Sequence, residues 1–253
     1  MNRHDDTYTG DAQDQSGGEG APHSRCADAT VECAMDATDN PAPLAARLIE
    51  YSRRRRSLFD WMHPSRLARL PYADRVRGSE GAGAAKLAEA FLDETGMPVP
   101  PLSAFSAPGA ALALLPMRDC LAVFRLRALL DYADEVHSWI DRPRRSLLTG
   151  WIGPHGARLL LARKRELTGD PARAAQRRER LDSGSSDGLA WRGLRLFERE
   201  CDWPSDGPLA LAQLALPDES ASGPPASPLG KAGWNPSLSI VSQLPDLFPE
   251  WSW

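Results

Sequence analysis

From residue 41 to residue 216 apolar side chains recur at helical spacing, and β-branched residues are scarce. Strands draw on Val, Ile and Thr to cover a pleated surface, so this shortage argues against a large sheet. Leu44, Leu48, Tyr51, Leu58 and Met62 are spaced 4, 3, 7 and 4 apart, one stripe of an amphipathic helix. Pro43 falls in the first turn, where a missing N–H is tolerated, and Pro64 stops the run. A second helix is expected over Ala84–Thr95, closed by Gly96, before "GMPVPP" breaks the chain. Leu102–Leu115 reads as a buried segment, and Pro116 opens a strong helix through Leu130. Asp131 is placed to cap a helix carrying Tyr132, Val136, Trp139 and Ile140. Short helices follow over Arg144–Trp151, His155–Leu167, Leu189–Glu200 and Leu209–Leu216. The expected fold is mainly α, a single domain of short packed helices.

The ends differ from this body. Residues 1–40 carry nine acids and two arginines, and residues 201–253 six acids and one lysine, so the stretch between them is net +8. The first 40 residues hold almost no large apolar groups and cannot offset their ordering entropy, so they are expected to be disordered. Residues 217–236 form a Pro/Ser/Gly linker. The apolar stretch SLSIVSQLPDLFPEWSW then follows, either packing back on the core as a strand or docking on a partner from within the linker. The organisation is thus an acidic segment 1–40, a helical domain 41–216 and a tail 217–253. The four cysteines, Cys26, Cys33, Cys120 and Cys201, form no compact framework, which suits a reducing compartment. The polar, acidic start has no apolar run of a signal peptide.

Motifs for chemistry fail on inspection. "GSEGAGAAK" (Gly78–Lys86) lacks the Ser/Thr and preceding strand of a phosphate loop. His23, Cys26 and Cys33 supply three soft ligands where a structural zinc needs four. Asp134, His137 and Asp141 share one helix face, but it lies opposite the apolar set and reads as a solvated face. His63, extended before Pro64, reads as fixing a helix–helix corner, with Ser65 able to cap the helix that Arg66 opens. No enzyme and no cofactor is implied.

The run Arg53–Arg56 invites a nucleic-acid reading. On a helical wheel with Leu44 at zero, Arg53, Arg54 and Arg56 fall at about 180°, 280° and 120°, away from the stripe, and Arg55 at about 20°, within it. Glu50 and Asp60 stand four residues from Arg54 and Arg56, the spacing of helical ion pairs. A nucleic-acid arm would show unpaired cations along one face, so Arg53, Arg54 and Arg56 are assigned to an outward face that meets an acidic protein surface. Arg55 must snorkel or find an acid on another helix. A nucleic-acid-binding regulator using the basic body remains the alternative.

The residues "RRSLFDWMHPSRLARLP" and "ALALLPMRDCLAVFRLRALLDYADEVHSWIDRPRRSLLTGWIG" resemble the SctK/YscK/OrgA/MxiK family of type III secretion accessory proteins. The resemblance rests on Trp61, His63, Pro64, Ser65 and Arg66, then on Leu114, Leu115, Pro116, Arg125, Leu126, Arg127 and Ala128. It continues at Ile140, Asp141, Leu147, Leu148, Ile152 and Gly153, covering about residues 45–170. It implies a non-enzymatic adaptor of the cytosolic sorting platform, in the bacterial cytoplasm at the inner-membrane apparatus. Such an adaptor joins the cytoplasmic domain of the inner-membrane ring protein (SctD-like) to the scaffold (SctQ-like), and through it to the stator and the ATPase. Partner-binding candidates are Arg53, Arg54, Arg56, His63, Trp251 and Trp253, with no nucleic acid and no membrane insertion.

Overall fold

A computed structural model describes residues 41–107, 109–162, 181, 185–204, 206–218 and 235–250. Among them every regular element is helical and none is a strand, as the shortage of β-branched residues requires. The first apolar stripe forms α1 (Pro41–Arg56) and, after a break at Ser57, the single turn α2 (Leu58–Trp61). Its Tyr51, Leu58 and Met62 are buried. The turns α3 (Pro64–Leu67) and α4 (Ala73–Arg77) lead to α5 (Ala82–Glu94). Gly96, at φ +69°, closes α5 as expected, and the Met97 N–H reaches back 2.8 Å to the Leu92 carbonyl.

The segment expected to be buried over Leu102–Leu115 is two 3₁₀ turns, Leu102–Ser106 and Ala110–Leu114. Phe105, Leu112 and Leu115 are buried, while Leu102 is exposed. The strong helix is α6 (Met117–Leu130), which buries Cys120, Val123, Phe124, Leu126 and Leu129. Asp131 does not cap the next helix, α7 (Ala133–His137). Tyr132 stands at that cap, its side chain making no bond to the N–H groups of the helix, and the Asp131 carboxylate is drawn to Arg127 and Arg192 instead. α7 ends at His137, so the helical register lapses: Trp139 is buried but Ile140, expected on the same apolar face, is 85 % exposed.

The next two short helices are one element, α8 (Arg142–Ala162), bent where Gly153 adopts φ +74° ahead of Pro154. The part expected beyond Ala162 lies outside the described residues. α9 (Ser186–Glu200) and a 3₁₀ segment, Pro208–Ala215, follow.

Two apolar clusters result. The larger joins α6, α8 and α9 through Phe124, Leu129, Leu148, Ile152, Leu194 and Phe197. The smaller joins α1, α2 and α5 through Tyr51, Leu58, Ala88, Leu92 and Phe105. Side chains three apart eclipse on a 3₁₀ helix, so Pro208–Ala215 serves both. Leu209, Ala212 and Ala215 enter the larger cluster, and Leu211 and Leu214 the smaller.

The apolar end of the chain packs back, as helices rather than a strand. α10 (Pro236–Val241) and α11 (Leu244–Leu247) place Ile240, Leu244, Leu247 and Phe248 in the larger cluster. Asn235 caps α10 by accepting the Leu238 N–H at 3.0 Å, and the Ser237 hydroxyl donates to Glu200 Oε2 at 2.7 Å.

Candidate interaction surfaces

The four arginines divide into two buried and two exposed. Arg55 is 2 % exposed. It meets Glu89 at 2.9 Å and donates to the carbonyls of Met97 at 2.9 Å and Pro98 at 3.3 Å. This is the acid from another helix that its place in the seam demanded. Arg54, expected on an outward face, is also buried and donates to the Ala113 carbonyl. A wheel with one buried stripe treats α1 as packed on a single side. It is flanked on two, by α5 and by the 3₁₀ turn Ala110–Leu114, and Arg54 caps the end of the second. Burial holds its guanidinium below the usual arginine range, though an arginine so shifted keeps its charge.

Arg53 and Arg56 remain on the surface. Arg53 lies 3.8 Å from Glu50, three residues back, rather than Glu50 serving Arg54 as the four-residue spacing suggested. Arg56 makes no ion pair with Asp60 among the described residues. Both arginines edge an open groove between α1 and α5, with Leu48, Ile49 and Phe59 along it and Lys86 on the far side.

His63 holds the corner between the two clusters. Its extended backbone (φ −58°, ψ 133°) precedes Pro64, and its Nδ1 accepts the Ser65 N–H at 3.2 Å. His63, not Ser65, therefore caps α3, and the Ser65 hydroxyl sits 2.7 Å from the same nitrogen. The His63 N–H donates to the Leu214 carbonyl at 2.9 Å, and Nε2 lies 3.6 Å from Asp187 on α9. Arg66 continues the corner, donating to the Leu216 carbonyl at 2.6 Å and pairing with Asp218 at 2.7 Å. Serine, histidine and aspartate do lie in sequence here. The serine, however, faces the imidazole nitrogen already used to cap a helix, so no free base is left to activate a nucleophile. The corner ties α3 to α9 and to the Pro208–Ala215 segment.

The acidic cluster around α7 does not converge. Asp134 is exposed, Asp141 lies 3.8 Å from Arg144, and Glu135 accepts the Leu181 N–H at 3.1 Å. His137, expected in solvent, is half-buried, with Nε2 shut from solvent and without a partner among the described residues. Burial pushes the Cys120 thiol up to about 12, which makes it a packing residue rather than a nucleophile. Trp251, Trp253 and the His23/Cys26/Cys33 group lie outside the described residues.

A family model for bacterial type III secretion proteins, HrpB4, matches residues 39–250. The chain belongs to the HrpB4 family. The match agrees with the resemblance to type III secretion accessory proteins, and it extends past the 45–170 stretch to take in the Pro-rich region and α10–α11. No curated protein and no solved structure matches the chain. No helix among the described residues of this HrpB4-family chain is long and apolar enough to cross a membrane.

Arg127 entered the sequence reading only as part of the resemblance, with no partner assigned. It is 3 % exposed on α6, donates to Glu200 at 2.9 Å and Asp131 at 3.1 Å, and is thereby linked to Arg192. Burial works against its charge, but the Glu200 and Asp131 carboxylates outweigh this and raise its pKa. The signal was present: Arg127 stands between Leu126 and the apolar run Ala128–Leu130, a setting where a charge needs a partner, and Asp131 stands at i+4.

Proposed function

We propose that this chain is a non-enzymatic adaptor of a bacterial type III secretion apparatus, working in the cytoplasm against the inner membrane. It joins the cytoplasmic domain of the ring protein (SctD-like) to the sorting-platform scaffold (SctQ-like), and through the scaffold to the stator and ATPase. The observation that carries the reading is the family match across residues 39–250. The geometry agrees with a binding role, since three conspicuous polar side chains are spent on holding elements together: Arg55 on α5, His63 at the corner, Arg127 on α9. Nothing favours nucleic acid, because the arginine run that suggested it keeps only Arg53 and Arg56 at the surface.

Co-purification with the ring protein's cytoplasmic domain and with the scaffold tests the reading, together with secretion by an in-frame deletion strain. The expected result is binding to both and loss of secretion restored by the intact gene. Binding to neither, with secretion unchanged in the deletion strain, would sink it.

A further inference from the structure

The groove between α1 and α5 has the features of a docking site. It encloses about 1320 Å³ and opens to solvent, above the ~300–1,000 Å³ of small-molecule pockets and suited to a peptide element. Its apolar lining comes from Leu48, Phe59 and Ile49, the last 70 % exposed, so the groove offers an apolar row in which Ile49 stands free to serve as an anchor.

Its charge is directional. Arg53, Arg56 and Lys86 line the groove, against Asp60 and Glu80. Arg53 shares Glu50 at 3.8 Å, while Arg56 and Lys86 have no ion-pair partner among the described residues. The start of α5 also opens into this groove through Gly81 and Ala82. No side chain caps that end and its first turn holds no acid, so the N–H groups and the positive end of the helix dipole add to the cationic side. Among the described residues there is no strand edge for an extended peptide to extend.

We propose that this groove receives an acidic amphipathic helix from a partner, its apolar face on Leu48, Ile49 and Phe59 and its carboxylates against Arg53, Arg56, Lys86 and the start of α5. The mode is a helix laid between two helices, read by apolar anchors one turn apart. Arginine beside an apolar anchor is the usual composition of an energetic centre in such interfaces. The inference rests on the adaptor reading for the partner's identity, but not for its chemistry.

The test titrates the full chain against the purified ring-protein cytoplasmic domain and the purified scaffold, each at low and physiological salt. The variants are Ile49→Asp and the triple Arg53→Glu/Arg56→Glu/Lys86→Glu. These side chains are exposed, and thermal midpoints confirm that the variants fold. One partner is expected to lose on the order of tenfold with the first variant and a hundredfold with the second, with wild-type affinity falling as salt rises. A photo-crosslinker at position 49 should then mark a partner segment with acids on one helical face. Exchanging those acids for arginines should restore binding to the triple variant. If both partners bind and the variants bind them unchanged, the groove is not the site and the adaptor reading stands. If neither partner binds, that reading falls. The groove is then judged by crosslinking from position 49 in secreting bacteria. A crosslink on an acidic helical segment of another apparatus protein upholds it; a basic or uncharged segment, a second copy of this chain, or none overturns it.

Discussion

Arg55 and Arg56 are neighbours of identical chemistry with opposite surroundings, and the difference is measurable. Arg55 is buried, and it reaches the partly exposed Glu89 and two backbone carbonyls, so truncating it empties a packed site and leaves those acceptors without this donor. Arg55→Ala is expected to cost about 2 kcal/mol, through the lost packing of its stem and the carbonyls left without their donor. Arg56 stands in solvent without an ion-pair partner among the described residues, and Arg56→Ala should stay within about 0.5 kcal/mol of the parent. Urea denaturation of the two variants decides the matter, and equal losses would contradict the geometry. The side of α1 on which Arg55 lies was legible, because a wheel built on the leucines places it in the seam. Arg54 was not, because the 3₁₀ turn that accepts its hydrogen bond is far away in the chain, and a single helix does not record how many neighbours flank it.

The elements depend on two glycines that work for different reasons. Gly193 sits mid-helix in α9, where a Cβ would stand 1.8 Å from the Phe124 carbonyl oxygen of α6. Backbone cannot give way as a side-chain tip can, so Gly193→Ala must push the two helices apart. The expected loss is about 3 kcal/mol or more, in the range of severe overpacking. At Gly153 a Cβ would meet nothing within 4 Å, but φ is +74°. With ψ at 169° this is backbone nearly confined to glycine, so Gly153→Ala is strained without a clash and should cost about 1–3 kcal/mol. Thermal midpoints of both variants rank the effects, and a milder change at 193 than at 153 would refute the close approach. Helices with strong periodicity, α5, α6 and α9, were readable to within a few residues from proline, glycine and apolar spacing. The misreadings fall where one residue has two possible duties. Asp131 is a good capping residue by type, yet Arg127 and Arg192 hold it. Ser65 is a good cap by type, yet the helix begins earlier, at Pro64, so His63 stands at the cap and its ring accepts the Ser65 N–H. Ile140 belongs to the right face only while the helix lasts, and α7 ends three residues earlier. Gly193 carried a sequence signal that went unused: a glycine inside a helical pattern is tolerated at a cost, and close packing is a common reason for it.

At the scale of the whole molecule, the C-terminal helices belong to the structure that the earlier elements build. The main charge network runs from Arg127 on α6 to Glu200 at the end of α9, and Glu200 in turn receives the Ser237 hydroxyl and, through its carbonyl, the Asn235 amide. The stretch that begins there buries Ile240, Leu244, Leu247 and Phe248 in the larger cluster. Composition did not settle this, since a Pro/Ser/Gly linker ahead of an apolar stretch is equally the pattern of a tethered docking motif. What distinguishes the two is what removal exposes. Truncation after Pro228 should uncover the apolar face of α6, α8 and α9 and leave Glu200 with two donors fewer. Each of the four side chains is worth roughly 1.5–3 kcal/mol when fully buried, offset by the entropy of ordering the segment. A net loss of a few kcal/mol corresponds to a thermal midpoint lower by roughly 10 °C in a domain of this size. The truncated chain should also bind a dye selective for exposed apolar surface. An unchanged midpoint with partner binding alone abolished would mean that α10 and α11 are a docking motif at rest on the core rather than a part of it.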